Sequence, residues 1–407
     1  MMIREEEIIF HMLNDFCHHQ SSEWFHELDK DSYDQDKLIN ILIAQGLGGL
    51  ASYQLYSKSH LLIQPKILNH MFLQDVFMSV NQADLLKEMT TYFEEEKIPF
   101  ICMKGSVVRN SYPEPSLRNM GDIDIVIHYE DRFKVDHIMM DLMGCKKMVD
   151  NHSVWTYNIK FLTVEVHNHM FYEKLSNDFD YIGYFDGVWN HIKNSEVFGV
   201  SSPYLYVPEE NYHFLYLMVH TAKHIINKGY GFRAFIDMVM YIEKNELDWD
   251  YLEKELKNVK LLSFTQVCFA YCERWFGVTM PLSVPLDEKF YQEISAKVVR
   301  DGLFGLENED NIGAAEAKAY KQGKGSYFVT MLGHIRRRLF PPYEEMQLIP
   351  WYKFVDGRPW LLPAAWVYRW GYCLVKKKDE SMDKLLRPYK AKDKIEERIG
   401  YINHWGL

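Results

Sequence analysis

Apolar side chains recur at helical spacing through the first hundred residues. Leu38, Ile39, Ile41, Leu42 and Ile43 are apolar on nearly every side of the turn, which predicts a buried helix. Gly46, Gly48 and Gly49 predict a turn before a second packed helix that runs to Leu55. Leu85, Leu86, Met89 and Phe93 share one face of a helix expected over residues 76–96. At Lys97 the period changes. Ile98 to Met103 reads as a short strand, Lys104-Gly105-Ser106 breaks it and opens a short helix, and Asp122 to Ile127 alternates as a strand does. A helix is expected over 130–143, and residues 154–159 and 162–167 read as an antiparallel pair. Helical spacing returns at 212–226, 232–244, 249–256 and 262–276. The last hundred residues are helical with breaks such as Phe340-Pro341-Pro342-Tyr343 and Pro350-Trp351-Tyr352.

This order predicts the α+β class, with a small mixed sheet embedded between N-terminal and C-terminal helical regions. The expected organisation is an N-terminal helical region over 1–96 and an α+β core over 97–205. A helical domain over 206–300 completes the cleft, and an aromatic-rich helical extension covers 301–407.

Composition narrows the function classes. The chain has 407 residues, 47% hydrophobic and 15% aromatic, which excludes a mostly disordered protein. Its formal charge of −11 argues against general nucleic-acid binding through a basic surface. The cysteines are scattered without a framework, and Cys268 and Cys272 fit an apolar helix as small packing residues. The acidic start, Arg4-Glu5-Glu6-Glu7, carries no signal-peptide run, so a reducing cytoplasm is expected. Trp360 to Val375 carries Arg369 and is too short to span a bilayer, so no transmembrane segment is expected. Lys376-Lys377-Lys378 and Arg336-Arg337-Arg338 beside aromatic stretches leave an interfacial contact as the alternative to a buried amphipathic helix.

Candidate chemistry concentrates between Lys104 and His167. On a strand, Asp122 and Asp124 face the same side while Ile123 and Ile125 point into the core. Two adjacent carboxylates repel unless a cation sits between them, and magnesium on a polyphosphate suits oxygen ligands. Glu165 and His167 share a face in Val164-Glu165-Val166-His167, so three carboxylates converge if the two strands are neighbours. Lys104, Gly105 and Ser106 supply a strand-end turn whose glycine and donors suit a phosphate, and Arg118 precedes the acidic pair in the approach loop. Later, Lys223 and His224 are candidates for phosphate or base contact. His220, one turn before His224, could join it on zinc, but the Glu of an H-E-x-x-H motif is missing. Arg233 and Asp237 are placed to pair along one helix, after the flexible turn Gly229-Tyr230-Gly231. Nucleophile-elbow, dinucleotide-loop, Walker A and kinase patterns are absent.

Taken together, Met103-Lys104-Gly105-Ser106, Arg118-x-x-Gly121-Asp122-x-Asp124, Val164-Glu165-Val166-His167, His220-x-x-x-His224 and Arg233-x-x-x-Asp237 resemble a family of largely uncharacterised bacterial nucleotidyltransferases. That family belongs to the superfamily with the polymerase-β-type fold, and the resemblance covers about residues 15 to 245. It implies a sheet of nucleotidyltransferase type and Mg²⁺-dependent transfer of a nucleoside monophosphate from an NTP to an acceptor hydroxyl, with release of pyrophosphate. Asp122, Asp124 and Glu165 would be catalytic and hold two magnesium ions. Lys104, Gly105, Ser106, Arg118, Lys223 and His224 would bind nucleotide. His167, His220, Arg233 and Asp237 would serve the acceptor or the structure. The acceptor would be a small molecule or a protein. Two departures stand out: a long gap from Ser106 to Asp122, and Glu165 where the superfamily more often has Asp. The alternative is a nucleotide-binding regulatory or scaffold protein with the same fold and little turnover.

Overall fold

A computed structural model gives the fold. It describes residues 3–20, 22, 24–25, 28–55, 65–151, 153–176, 178–227, 229–302, 333, 335–337, 339–346, 350–355, 357–376 and 392–407. Two compact units are distinguished. The first is Met1–Ile225 with Gly229–Leu306 and Trp405–Leu407, and the second is Ile226–Lys228 with Glu307–His404.

The first unit opens with helices α1 (Arg4–Cys17), α2 (Gln35–Ala44), α3 (Gly48–Leu55) and α4 (Pro65–Glu95). Asp34 caps α2 by accepting from the Lys37 amide, as an aspartate at a helix start is suited to do. The sheet begins with β1 (Phe100–Cys102), followed by the one-turn helix α5 (Gly105–Val108) and β2 (Asp122–Ile127). The helix expected over 130–143 is less regular than its spacing suggests. It divides into a 3-10 turn, α6 (Arg132–His137) and a π turn over Ile138–Leu142. Then come β3 (Lys146–Asp150), β4 (Val154–Ile159), β5 (Leu162–His167), α7 (Tyr181–Phe185), β6 (Ile192–Asn194) and β7 (Leu205–Pro208). Helices α8 (Glu210–Asn227), α9 (Phe232–Lys244), α10 (Trp249–Asn258), α11 (Leu262–Phe276) and α12 (Glu288–Asp301) follow.

The seven strands form one mixed sheet in the order β3-β4-β5-β2-β1-β7-β6. β2 is central, antiparallel to β1 and parallel to β5. β4 and β5 are the expected antiparallel hairpin. One face of this sheet carries Phe100, Cys102, Ile123, Ile125, Ile127, Trp155, Tyr157, Val164 and Val166 into a continuous apolar core. Leu85, Leu86, Met89 and Phe93 of α4 and Val135, Ile138 and Met139 of the α6 region pack there. Burying such side chains stabilises the sheet by roughly 1.5–3 kcal/mol each. The opposite face of β2 and β5 carries Asp122, Asp124, Thr163, Glu165 and His167, with Val126 as its apolar member.

In the second unit a small core gathers Met346, Tyr352, Val355 and Ala365. The indoles of Trp366 and Trp370, on the helix Leu362–Lys376, donate to the carbonyls of Pro341 and Leu339 at 2.9 and 2.7 Å. Arg338, Lys377 and Lys378 of the basic triplets lie outside the described residues. No helix among the described residues is long and apolar enough to cross a membrane.

Candidate active site

Strand pleating and register assemble the acidic cluster. With Ile123 and Ile125 committed to the core, Asp122 and Asp124 must project from the other face. The parallel pairing sets Asp124 beside Glu165 and Asp122 beside Thr163. His167 follows two residues after Glu165 and falls on the same face. One potential ligand atom from each of Asp124, Glu165 and His167 lies within 4.8 Å of the others, so this group could hold a metal ion. His167 Nε2 is 3.0 Å from Asp124 Oδ1 and 3.6 Å from Glu165 Oε2. Burial holds the His167 imidazole below its ordinary pKa. A neutral ring must then carry its proton on Nε2 to donate to Asp124, which leaves Nδ1 as a buried lone pair without a partner among the described residues.

Lys104 is joined to this cluster. Its backbone has φ 52° and ψ −127°, an unusual conformation for a side-chain-bearing residue, and its Nζ sits 2.6 Å from Asp124 Oδ1. Burial opposes the ammonium, but Asp124, the Tyr216 phenol and Asp122 together outweigh it and raise the Lys104 pKa well above the ordinary value. For Asp124 the balance is the mirror image: burial opposes the carboxylate, while Lys104 and the His167 hydrogen bond hold it well below the usual range. Asp122 has no such partner. Repulsion from Asp124, then burial, pushes its carboxyl up to about 7. Burial and then Asp124 push Glu165 upward as well.

Gly105 and Ser106 follow Lys104 as the first residues of α5. The Ser106 hydroxyl is fully buried and has no hydrogen-bond partner among the described residues. Gly121 lies in open space, where an added Cβ would meet nothing within 4 Å.

Arg118 pairs with a carboxylate on a later helix. Its Nε and Nη2 grip the two oxygens of Asp237 on α9 at 3.1 and 2.8 Å, and Tyr112 donates to the same carboxylate at 2.7 Å. Arg233 does not pair with Asp237. Its Nη1 reaches the backbone oxygen and Oδ1 of Asn119 at 3.2 and 2.8 Å. Helix α8 brings Tyr216, His220 and Lys223 toward the cluster, since Lys104 feels the Tyr216 phenol and Glu165 feels the Lys223 ammonium. Lys223 Nζ lies 2.9 Å from Glu173 Oε1 and 5.0 Å over the Tyr172 ring, which stacks on His167. His220 and His224 face each other through Nε2 atoms 3.0 Å apart, and among the described residues no third ligand completes a metal site with them. His224 in turn meets the Tyr230 ring at 4.9 Å.

Sequence reasoning missed Tyr112, Asn119, Tyr172, Glu173 and Tyr216. Tyr216 alone carried a readable signal, one helical turn before His220. The others reach the site from loops, whose geometry has no period.

A family model described as an uncharacterised nucleotidyltransferase matches residues 31–277. No curated protein matches the chain. Among solved structures, the solution structure of the antibiotic-resistance factor ANT(2'')-Ia matches 44% of this chain and 94% of that one, at 13% identity and a TM-score of 0.33.

Proposed function

The chain belongs to this family of uncharacterised nucleotidyltransferases, and from that premise we propose that it moves a nucleoside monophosphate from an NTP to a hydroxyl of a small molecule or protein. The acceptor oxygen bonds to the α-phosphorus, the bond to the bridging oxygen breaks, and pyrophosphate leaves with that electron pair. The observation that carries this reading is the register of β2 against β5, which sets Asp124 beside Glu165 on one sheet face with Asp122 next to them.

The donor set suits magnesium. Asp122, Asp124 and Glu165 offer hard oxygen ligands, and an ion there would relieve the repulsion that pushes Asp122 up to about 7. These carboxylates would hold the metal, and when bound it would neutralise phosphate charge and acidify the acceptor hydroxyl. The remaining tasks belong to the chain's own side chains. Glu165, raised by burial and by Asp124, is the base that takes the acceptor proton. The unpartnered Ser106 hydroxyl and the amides opening α5 are donors for phosphate oxygens. Lys104, which pairs with Asp124 at the start of the same turn, is the ammonium that would meet phosphate oxygens. Lys223 and His224 on α8 would border the nucleotide.

The test is incubation of the purified protein with each labelled NTP, Mg²⁺ and panels of hydroxyl-bearing small molecules and proteins. Pyrophosphate release that depends on an acceptor and disappears in Asp124→Ala supports transfer. NTP binding without release from any acceptor, unchanged in Asp124→Ala, would assign the protein to regulation instead.

A further inference from the structure

Asp237 lies on α9, more than a hundred residues beyond Asp122 and Asp124, and its buried carboxylate accepts three hydrogen bonds. Two come from the fork of Arg118, which fixes the plane of that guanidinium as a single hydrogen bond could not. The nitrogen left over, Nη1, faces the first residue of α5. A Cβ built on Gly105 would overlap Arg118 Nη1 and would meet Met120 Sδ at 3.1 Å. Glycine at 105 is therefore the surface on which the guanidinium rests. Directly before it stands Lys104 in its left-handed conformation, and directly after it the buried Ser106 hydroxyl without a partner. The whole turn is set between the strand-borne acids on one side and one flat cation on the other.

We propose that Asp237 is a positioning residue for the Lys104-Gly105-Ser106 turn, acting through Arg118. The carboxylate holds the guanidinium flat, and the guanidinium sets the height of the turn above the β2 carboxylates. This rests on the reading that the turn receives the phosphates of a nucleotide. It gives Arg118 a supporting task, with its charge spent on Asp237.

Magnesium tripolyphosphate, the portion common to every NTP, serves as the probe. Its affinity is measured calorimetrically for the wild type, Asp237→Asn, Arg118→Lys and the double variant, alongside circular dichroism and the Gly105 amide resonance. The expected result is about ten-fold weaker binding in each single variant, no further loss in the double variant, and a displaced Gly105 amide. A purely structural pair would lower the melting temperature and leave affinity and the Gly105 resonance of the folded variants unchanged, which would overturn the proposal. Losses that multiply in the double variant would overturn it as well. Should Asp237→Asn fail to fold, Arg118→Lys, which keeps the charge and loses the fork, decides the matter. A wild type that does not bind the probe overturns both this proposal and the nucleotide reading. Binding by the wild type with unaffected variants overturns this one alone.

Discussion

Lys104 Nζ lies 2.6 Å from Asp124 Oδ1, so a side chain supplies a cation to the most buried acid of the cluster. Removing one member of a buried pair leaves the other charge unpaired, which costs about 3 kcal/mol or more. Asp124→Asn is expected to lose that much stability in urea unfolding at neutral pH. Lys104→Met added to it is expected to restore most of the loss. Additive losses in the double variant would show that the two charges do not support each other.

The Lys104 backbone permits a cleaner comparison. Lys104→Gly and Lys104→Met both remove the ammonium, but only glycine adopts φ 52° without strain. The glycine variant is expected to be the more stable of the two by about 1–2 kcal/mol. Equal unfolding midpoints would mean that the turn relaxes when the ion pair is gone.

Asp122 predicts a pH dependence. Its carboxyl is raised to about 7, chiefly by Asp124 and then by burial. Between its ordinary pKa and that value, the folded protein holds a proton that the unfolded chain has released. The ionised Asp122 carboxylate therefore destabilises the fold in full above pH 7, where both states are ionised, and this penalty is relieved as pH falls from 7 toward the ordinary value. Asp122→Asn is expected to raise stability at pH 8 by on the order of 2 kcal/mol and to flatten the slope between pH 6 and 8. Binding of Mn²⁺, read by calorimetry in two buffers of different ionisation heat, should release more protons at pH 6 than at pH 8.5. Equal release at both pH values would exclude Asp122 from the ligand set.

His167 predicts a spectroscopic signature. Burial lowers its pKa, so the ring stays neutral at pH 7 and above, with the proton on Nε2 directed to Asp124. Side-chain ¹⁵N resonances should show that tautomer unchanged between pH 7 and 8.5. Addition of a divalent ion that recruits His167 should change it. A titration centred within that interval would contradict the buried, neutral ring.

Strands with a core face were legible in the sequence, because alternation records burial on one side. β2 and β5 fall where Ile123, Ile125, Val164 and Val166 place them, β4 falls at the expected 154–159, and the convergence of Asp124 with Glu165 followed from the pleat once the strands were adjacent. β3, β6 and β7 were missed. Lys146–Asp150 is mostly exposed and polar, Ile192–Asn194 has three residues, and Leu205–Pro208 ends in a proline. Their pairing partners, more than their composition, make them strands. The partner of Arg118 was illegible for a related reason. Helical spacing offers Arg233 to Asp237 at close range, yet Asp237 is turned to Arg118 across 119 positions of sequence, and Arg233 takes carbonyl oxygens of Asn119. Local period cannot reveal a competition settled by tertiary packing.

The parallel register of β2 with β5 also bears on how such a chain can change over generations. Each strand shows alternate residues to opposite faces, so a single-residue insertion or deletion inside either one would turn its acids into the apolar core and its isoleucines or valines outward. Length variation is therefore penalised within Asp122–Ile127 and Leu162–His167 and tolerated in the connection from His169 to Asp180, where Tyr172 and Glu173 reach the cluster from a segment without regular structure. A descendant could remodel that connection without disturbing the register that sets Asp124 beside Glu165.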